Sequence, residues 1–327
     1  MMIKKSIITV KNNMTLFIVL DMMIALFFSV YFPAPVKWLQ HYALFASFLM
    51  VFPIMININF ASILKATAQR KLLGVSLGFH FIASPVILFF ILKLFNSDPN
   101  IAAGLLFIAI MPASGMAAVW TKMNKGTVSI TIVILCLSLL LSLFTIPAET
   151  YFLIGNFVSV PIESLVNVII MLVLAPMILG FFTRKLIIKS KGEAAFTNAK
   201  PYISFISSLG LLLIIFIAFG LKGGVLFSQP SLVLNITLPM LVYYAIGFIF
   251  LNCLAKRMGF TPADTIALCY GTMTKNRSMA TAIAIAIFDP LSVTAIALAG
   301  VVAQIPMMLL YSKMTSVRLC PYVIKNK

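Results

Sequence analysis

The sequence predicts an all-α polytopic membrane protein: ten transmembrane helices in two inverted five-helix repeats, whose broken fourth and ninth helices cross at the bilayer midplane. Three observations predict it. Of the 327 residues 62% are apolar and 9% charged, whereas a soluble domain carries about a quarter charged residues; the mean hydropathy is +1.12. The apolar residues gather into ten runs, each close to the roughly 20 residues that one crossing needs. The basic residues alternate between loops in register with ten crossings.

The first run, 14–32, follows Lys4, Lys5 and Lys11 and has the look of a secretory signal. It contains Asp21, however, and ends at FPAPVK without a small-residue cleavage pattern, so it is expected to remain as the first transmembrane helix. The others are 40–58, 72–95, 101–120, 127–148, 164–183, 203–223, 231–254, 262–288 and 291–312, bounded by charge or by Pro and Gly. With the N-terminus inside, the cytoplasmic segments receive 19 of the 24 Lys and Arg, among them Lys65, Arg70 and Lys71, the group Arg184, Lys185, Lys189, Lys191 and Lys200, and Lys313, Arg318, Lys325 and Lys327. The opposite side receives Lys37, Lys93 and Lys222. This asymmetry predicts an integral protein of the cell or cytoplasmic membrane with both termini cytoplasmic. It also accounts for the net charge of +17, so no nucleic-acid partner is expected. Cys136, Cys253, Cys269 and Cys320 show no CxxC spacing and are expected to be small packed residues. His41 and His80 have no second ligand at metal spacing, no Walker-type phosphate loop occurs, and no cofactor is expected.

The chain is read as one transmembrane domain, 1–327, with halves 14–148 and 164–312. Two segments are poor helices at their centres. In AGLLFIAIMPASGMAAVWTKMNKG, Pro112 removes a backbone donor and Gly115 adds freedom. In ALCYGTMTKNRSMATAIAIAIF, the pattern is interrupted by Gly271, Thr272, Thr274, Lys275 and Asn276. These segments are fourth and ninth, hence equivalent in two halves of opposite topology, and paired broken helices of that kind point to a transporter site. A simple proline kink is the alternative for the fourth segment taken alone. Lys275 and Arg277 require a reason of their own, because a cation at bilayer depth costs about 2.5–3.5 kcal/mol on insertion scales.

PASGMAAVWTKMNKGT, Pro112–Thr127, resembles P-G-G-T-A-S-N-V-M-T-Y-L-A-K-G-N of the bile acid:sodium symporter superfamily. MVFPIMININF, Met50–Phe60, and VVAQIPMMLL, Val301–Leu310, resemble its arsenical-resistance arsenite permease branch. The resemblance covers nearly the whole chain and implies a panel and a core domain, crossed fourth and ninth helices in the core, and solute held between the two. In the symporters sodium is held by a Ser-Asn pair in the fourth helix and by Glu and Gln in the ninth. Here Ala117 and Ala118, then Gly271 and Lys275, stand at those positions. The arsenite permeases' P-C-T reads Pro112, Ala113 and Ser114, and their ninth-helix Glu is Ser278. Neither sodium coupling through the family's sites nor a thiolate ligand for arsenic is therefore expected, and an ammonium repels sodium. Cys269 is either a substitute thiol or a packed helix residue.

Lys275 is read as a fixed replacement for sodium's charge and as a proton carrier, which makes protons the expected coupling ion. Arg277 suits bidentate binding of a carboxylate or oxyanion, or else snorkels or pairs with Asp21 or Asp289. Asn276 can bond freed backbone. Ser114, Thr121, Thr272, Thr274 and Ser278 complete the candidate set with Pro112 and Gly115; each hydroxyl is either a solute ligand or a bond to its own i−4 carbonyl. Asp21 is a relay or a counter-ion, and Asn57 and Asn59 are interfacial. The function expected is secondary active transport of a small organic anion or oxyanion by alternating access, with arsenite efflux as one alternative and a receptor or scaffold without flux as another. An intramembrane protease is excluded, because seven acidic residues, mostly in loops, supply no catalytic pair.

Overall fold

The computed structural model describes residues 14–57, 69–228 and 230–324. Lys4, Lys5, Lys11, Asn59, Lys65, Lys325 and Lys327 lie outside the described residues. The helices, in order, are α1 Met14–Tyr31, α2 Pro33–Leu39, α3 Ala43–Asn57, α4 Arg70–Gly78, α5 Ser84–Leu94, α6 Pro99–Ile110, α7 Met116–Met123, α8 Val128–Phe152, α9 Ile162–Ile169, α10 Ala175–Ser228, α11 Ser231–Arg257, α12 Pro262–Met273, α13 Arg277–Ile287, α14 Pro290–Ala299 and α15 Ile305–Ile324. Three π-helical turns, Phe79–Ala83, Ile170–Leu174 and Gly300–Gln304, join α4 to α5, α9 to α10 and α14 to α15.

Local chemistry fixes the ends that matter for the site. Asp98 caps α6, accepting from the N–H groups of Asn100 and Ile101 at 2.9 and 3.2 Å, with Pro99 in the first turn. Thr261 does the same for α12, its hydroxyl accepting from the Asp264 N–H at 3.2 Å. Among the described residues five helical stretches are long and apolar enough to cross a membrane, six if α1 and α2, bent by 116°, count as one span. Ten separate long helices are not recovered. The fourth and ninth expected segments are divided into shorter pieces, α6 with α7 and α12 with α13. The sixth and seventh lie in α10 on either side of Gly192, whose φ of 80° and ψ of 166° break it into two helices joined at a kink.

The chain divides into two compact units. One comprises residues up to Ile58, Val158–Val233 and Ser278–Ala297. In it α10 lies along α3 and α1, at backbone distance: a Cβ on Gly210 would stand 2.6 Å from the Met50 nitrogen, and one on Gly180 2.8 Å from that of Ile56. Small residues substitute here for the hydrophobic driving force that lipid removes, and hydroxyls add hydrogen bonds. Ser207 donates to the Met50 carbonyl at 2.7 Å, and Ser47 to the Ala43 carbonyl at 2.8 Å and to that of Ala282 at 3.3 Å. Arg184 reaches the Asn57 carbonyl at 3.4 Å and Glu193 at 3.8 Å.

The other unit comprises Asn59–Phe157, Leu234–Arg277 and Leu298 onward. Its buried polar groups are cross-linked: Ser84 with the Tyr243 hydroxyl at 2.6 Å, Thr121 with Thr131 at 3.0 Å, and Asn124 accepting from Ser312 at 2.8 Å and Thr315 at 3.0 Å while donating to the Tyr270 hydroxyl at 3.1 Å. Cys136 and Cys269 are buried. Cys253 corrects the expectation of packed cysteines: it is exposed on α11, on the wall of a cleft of about 760 Å³ bounded by α11, α12 and α15. Lipid is as apolar as a protein core, so an apolar run does not by itself imply burial.

Candidate functional site at two broken helices

The two interruptions meet. Ala113 and Lys275 form an isolated antiparallel bridge. The Ser114 N–H donates to the Thr274 carbonyl and the Asn276 N–H to the Pro112 carbonyl, both at 2.8 Å. Backbone freed by each break is thus paired with the other, which is how unwound chain survives away from water. Two further groups are met by side chains. The Ala113 N–H donates to the Ser138 hydroxyl at 3.0 Å, and the Lys275 carbonyl receives the Gln304 amide at a long 3.4 Å.

Lys275, 1% exposed, sends its ammonium to the carbonyl of His80 at 3.1 Å. That carbonyl is free for a reason written in the sequence. In a regular helix Ser84 would donate to it, but in the π turn the Ser84 N–H bonds Phe79 instead. The next candidate donor, Pro85, has no N–H. The His80 ring meanwhile closes the end of α6, its Nε2 lying 2.8 Å from the Met111 carbonyl. One residue therefore serves both breaks, by its ring and by its backbone.

The electrostatics balance in kind. Two twelve-residue helices, α6 and α12, end at the junction, each presenting roughly half a negative charge. A hydrogen bond from a charged donor contributes about 1.5–3 kcal/mol. Against an insertion cost of about 2.5–3.5 kcal/mol, these terms together are of the size needed to hold a buried ammonium.

The other expected residues are distributed around this junction. Thr272 is fully buried and bonds the Ser76 hydroxyl at 2.8 Å. Thr274 turns its hydroxyl to the Met308 sulfur at 3.5 Å. Ser114 accepts from the Met116 N–H at 3.3 Å and starts α7. Thr121 bonds the Ala117 carbonyl at 2.8 Å as well as Thr131, so it ties α7 to α8. Arg277 lays its guanidinium over Gly300: a Cβ there would overlap it. Ser278 opens the segment assigned to the other unit.

Two expectations are corrected. Gly115 has φ −56°, an ordinary right-handed value, so its conformational freedom is unused. Gly271 and Thr272 do not interrupt the ninth segment, because α12 continues through Met273 and the break is confined to Thr274–Asn276. Gly271 instead admits Ile134, whose Cδ1 would lie 2.9 Å from a Cβ. Cys269 is packed, its sulfur accepting from Asn252 at 3.4 Å, and Asn252 accepts in turn from Tyr311 at 3.1 Å. His80, Ser138 and Gln304 are the members that the sequence reading passed over. The signal for His80 was Pro85, which marks an unclosed carbonyl at i−5 or i−4; nothing comparable marks Ser138 or Gln304. Among the described residues no group of three His, Cys, Asp or Glu is arranged for a metal ion.

Comparison with known proteins gives the family. Residues 44–229 match the Sodium Bile acid symporter family. The chain is 27% identical over 285 residues to the Arsenical-resistance protein Acr3 of Alkaliphilus metalliredigens, covering 82% of this chain and 79% of that protein. It is 24% identical to the Acr3 of Corynebacterium glutamicum, covering 79% and 74%. With Sodium/bile acid cotransporter 7 of Xenopus tropicalis it shares 28% identity over 54% of this chain and about half, 51%, of that protein. These relatives are transporters, not enzymes. A helical membrane protein with two interlocked broken segments, this chain belongs to the sodium bile acid symporter family.

Proposed function

We propose that the chain is a secondary transporter of a small organic anion or oxyanion that works by alternating access without sodium, with proton exchange at Lys275 as its coupling step. The observation that carries this reading is the ammonium of Lys275 seated on the His80 carbonyl at the junction of the broken helices. A bound cation there would have to share the site with the charge of the ammonium. Most carbonyl and amide groups of the two breaks have protein partners, which supports a junction that holds without an ion. Arg277, half-buried beside it, supplies a fork for carboxylate or oxyanion. In this reading the ten segments form inverted halves and both termini are cytoplasmic, in keeping with the basic loops.

The test is a thermal-shift screen of purified protein against organic acids, arsenite and sodium, followed by flux of the hits in proteoliposomes. Ligands that bind the folded form raise its apparent stability by mass action. Hits among organic acids or oxyanions, with flux in sodium-free buffer that Lys275→Gln abolishes, are expected. Flux driven by a sodium gradient alone and indifferent to Lys275→Gln would overturn the reading. Arsenite efflux is the second reading, favoured by similarity to two arsenical-resistance proteins over most of the chain. It requires a soft ligand where Ala113 stands, and conferral of arsenite resistance on a sensitive cell decides it.

A further inference from the structure

The cleft walled by α11, α12 and α15 has a form and a charge that the junction of the broken helices does not use. Its α11 wall runs from Ala245 through Ile249 and Cys253 to Lys256, one face of a helix. At 1.5 Å per residue that wall is about 16 Å long, roughly half of a 30 Å hydrocarbon core and so one leaflet deep. Met307, Leu310 and Met314 line it from α15. The polar groups of the walls are met within the protein: Tyr311 donates to Asn252 at 3.1 Å, Asn252 to the Phe248 carbonyl at 2.7 Å, Thr265 to the Thr261 carbonyl at 2.9 Å and Thr315 to Asn124 at 3.0 Å. The shaft of the cleft therefore suits an apolar occupant.

At the mouth the character changes. Lys256 stands in the last turn of α11, and Phe260, on the cleft wall, also borders a second pocket of about 560 Å³ lined by Arg70 and Lys71. All three cations are exposed, and none of them has an ion pair among the described residues. Asp264, the carboxylate of the second pocket, is engaged by the Thr127 hydroxyl at 2.7 Å. Exposed apolar side chains are ordinary on a surface that meets lipid. An apolar groove one leaflet deep that opens onto three cations is complementary to an acyl chain with an anionic head.

We propose that this groove is a binding site for an anionic phospholipid of the leaflet at which Lys256 emerges. One acyl chain lies along α11 and α15, and the phosphate sits over Phe260, between Lys256 and the pair Arg70 and Lys71. A lipid of that leaflet is already at the depth of the groove and brings chain and charge in the order in which the wall presents them. In the topology proposed above this is the cytoplasmic leaflet, where anionic lipids attract basic residues at the ends of transmembrane helices. The third wall is α12, which ends at the break that holds Lys275, so the lipid braces one of the helices that shape the junction.

The test uses the purified full chain carrying Cys320→Ser, in neutral detergent micelles supplied with phosphatidylglycerol or with phosphatidylcholine of the same chains, and follows alkylation of Cys253 by N-ethylmaleimide. Cys253 is exposed on the groove wall while Cys136 and Cys269 are buried, so its thiol reports occupancy of this groove. Phosphatidylglycerol is expected to slow the alkylation and to raise the melting temperature by mass action, and phosphatidylcholine to do so only at much higher mole fraction. Each of Lys256→Gln, Arg70→Gln and Lys71→Gln should raise the phosphatidylglycerol needed for half protection by about fivefold, and the three together by about a hundredfold. Equal protection by the two lipids, or protection that survives the triple substitution, overturns the proposal. So does equal protection by dodecanoate, which would assign the groove to a soluble amphiphile, or protection that rises with protein concentration in the absence of lipid, which would assign it to a second copy of the chain. Neither readout involves flux, so the outcome is independent of the transport reading.

Discussion

Replacing Lys275 with Met in the presence and absence of Pro85→Ala separates an ammonium that is built in from one that is merely endured. In the wild type the side chain donates a charged hydrogen bond to the His80 carbonyl at 3.1 Å, worth about 1.5–3 kcal/mol. Lys275→Met gives up that bond but recovers about 2.5–3.5 kcal/mol of charge burial, so the net change should lie between a loss of about 0.5 and a gain of about 2 kcal/mol. Pro85→Ala returns an N–H to the helix, allows the π turn to close as a regular helix, and lets Ser84 donate to the His80 carbonyl. In that background the ammonium has lost its acceptor, and Lys275→Met should stabilise by about 2.5–3.5 kcal/mol. The coupling between the two sites is therefore expected at about 1.5–3 kcal/mol, read from reversible unfolding in mixed micelles. Additive effects would refute the account of the π turn. A stabilisation of about 3 kcal/mol by Lys275→Met alone would refute the claim that the junction is adapted to the cation.

Ser138→Ala leaves the Ala113 N–H without its acceptor and should cost about 1–3 kcal/mol of unfolding free energy; a neutral result would mean that this donor is not buried. Gly300→Ala places a methyl on the Arg277 guanidinium and should abolish sodium-free flux while Gly115→Ala, which meets nothing within 4 Å, leaves it within about twofold. Equal effects of the two substitutions would argue against a seated Arg277. Gly210→Ala, whose Cβ would stand 2.6 Å from a backbone nitrogen of α3, should lower the melting temperature in detergent by several degrees, as overpacking of about 1–3 kcal/mol does.

Much of the fold and part of the site were legible in the sequence. Pro112 and the KNRS stretch declared the two breaks because each violates what a membrane helix tolerates: a missing donor in one, charge in the other. Their meeting followed only from their equivalent positions in the chain. What was not legible was the partner of Lys275. A backbone carbonyl has no residue type, so no composition or spacing announces it, and only Pro85 hinted that His80 would have one to spare. The ring of His80 was discounted because a lone histidine suggests no metal, and its use as a helix cap carries no spacing rule. Gly115 misled in the opposite direction, since glycine's capacity for unusual backbone angles says nothing of whether they are used.

The bond between Lys275 and His80 joins residues 195 positions apart, and this has a bearing on how the chain is made. During synthesis the helix carrying His80 is threaded into the bilayer long before the lysine leaves the ribosome. The ninth segment therefore arrives with a charge that lipid alone does not accept, and finds its acceptor already installed. Insertion of the C-terminal half becomes conditional on correct placement of the N-terminal half. A displaced third segment would leave the ammonium of Lys275 without the carbonyl that holds it.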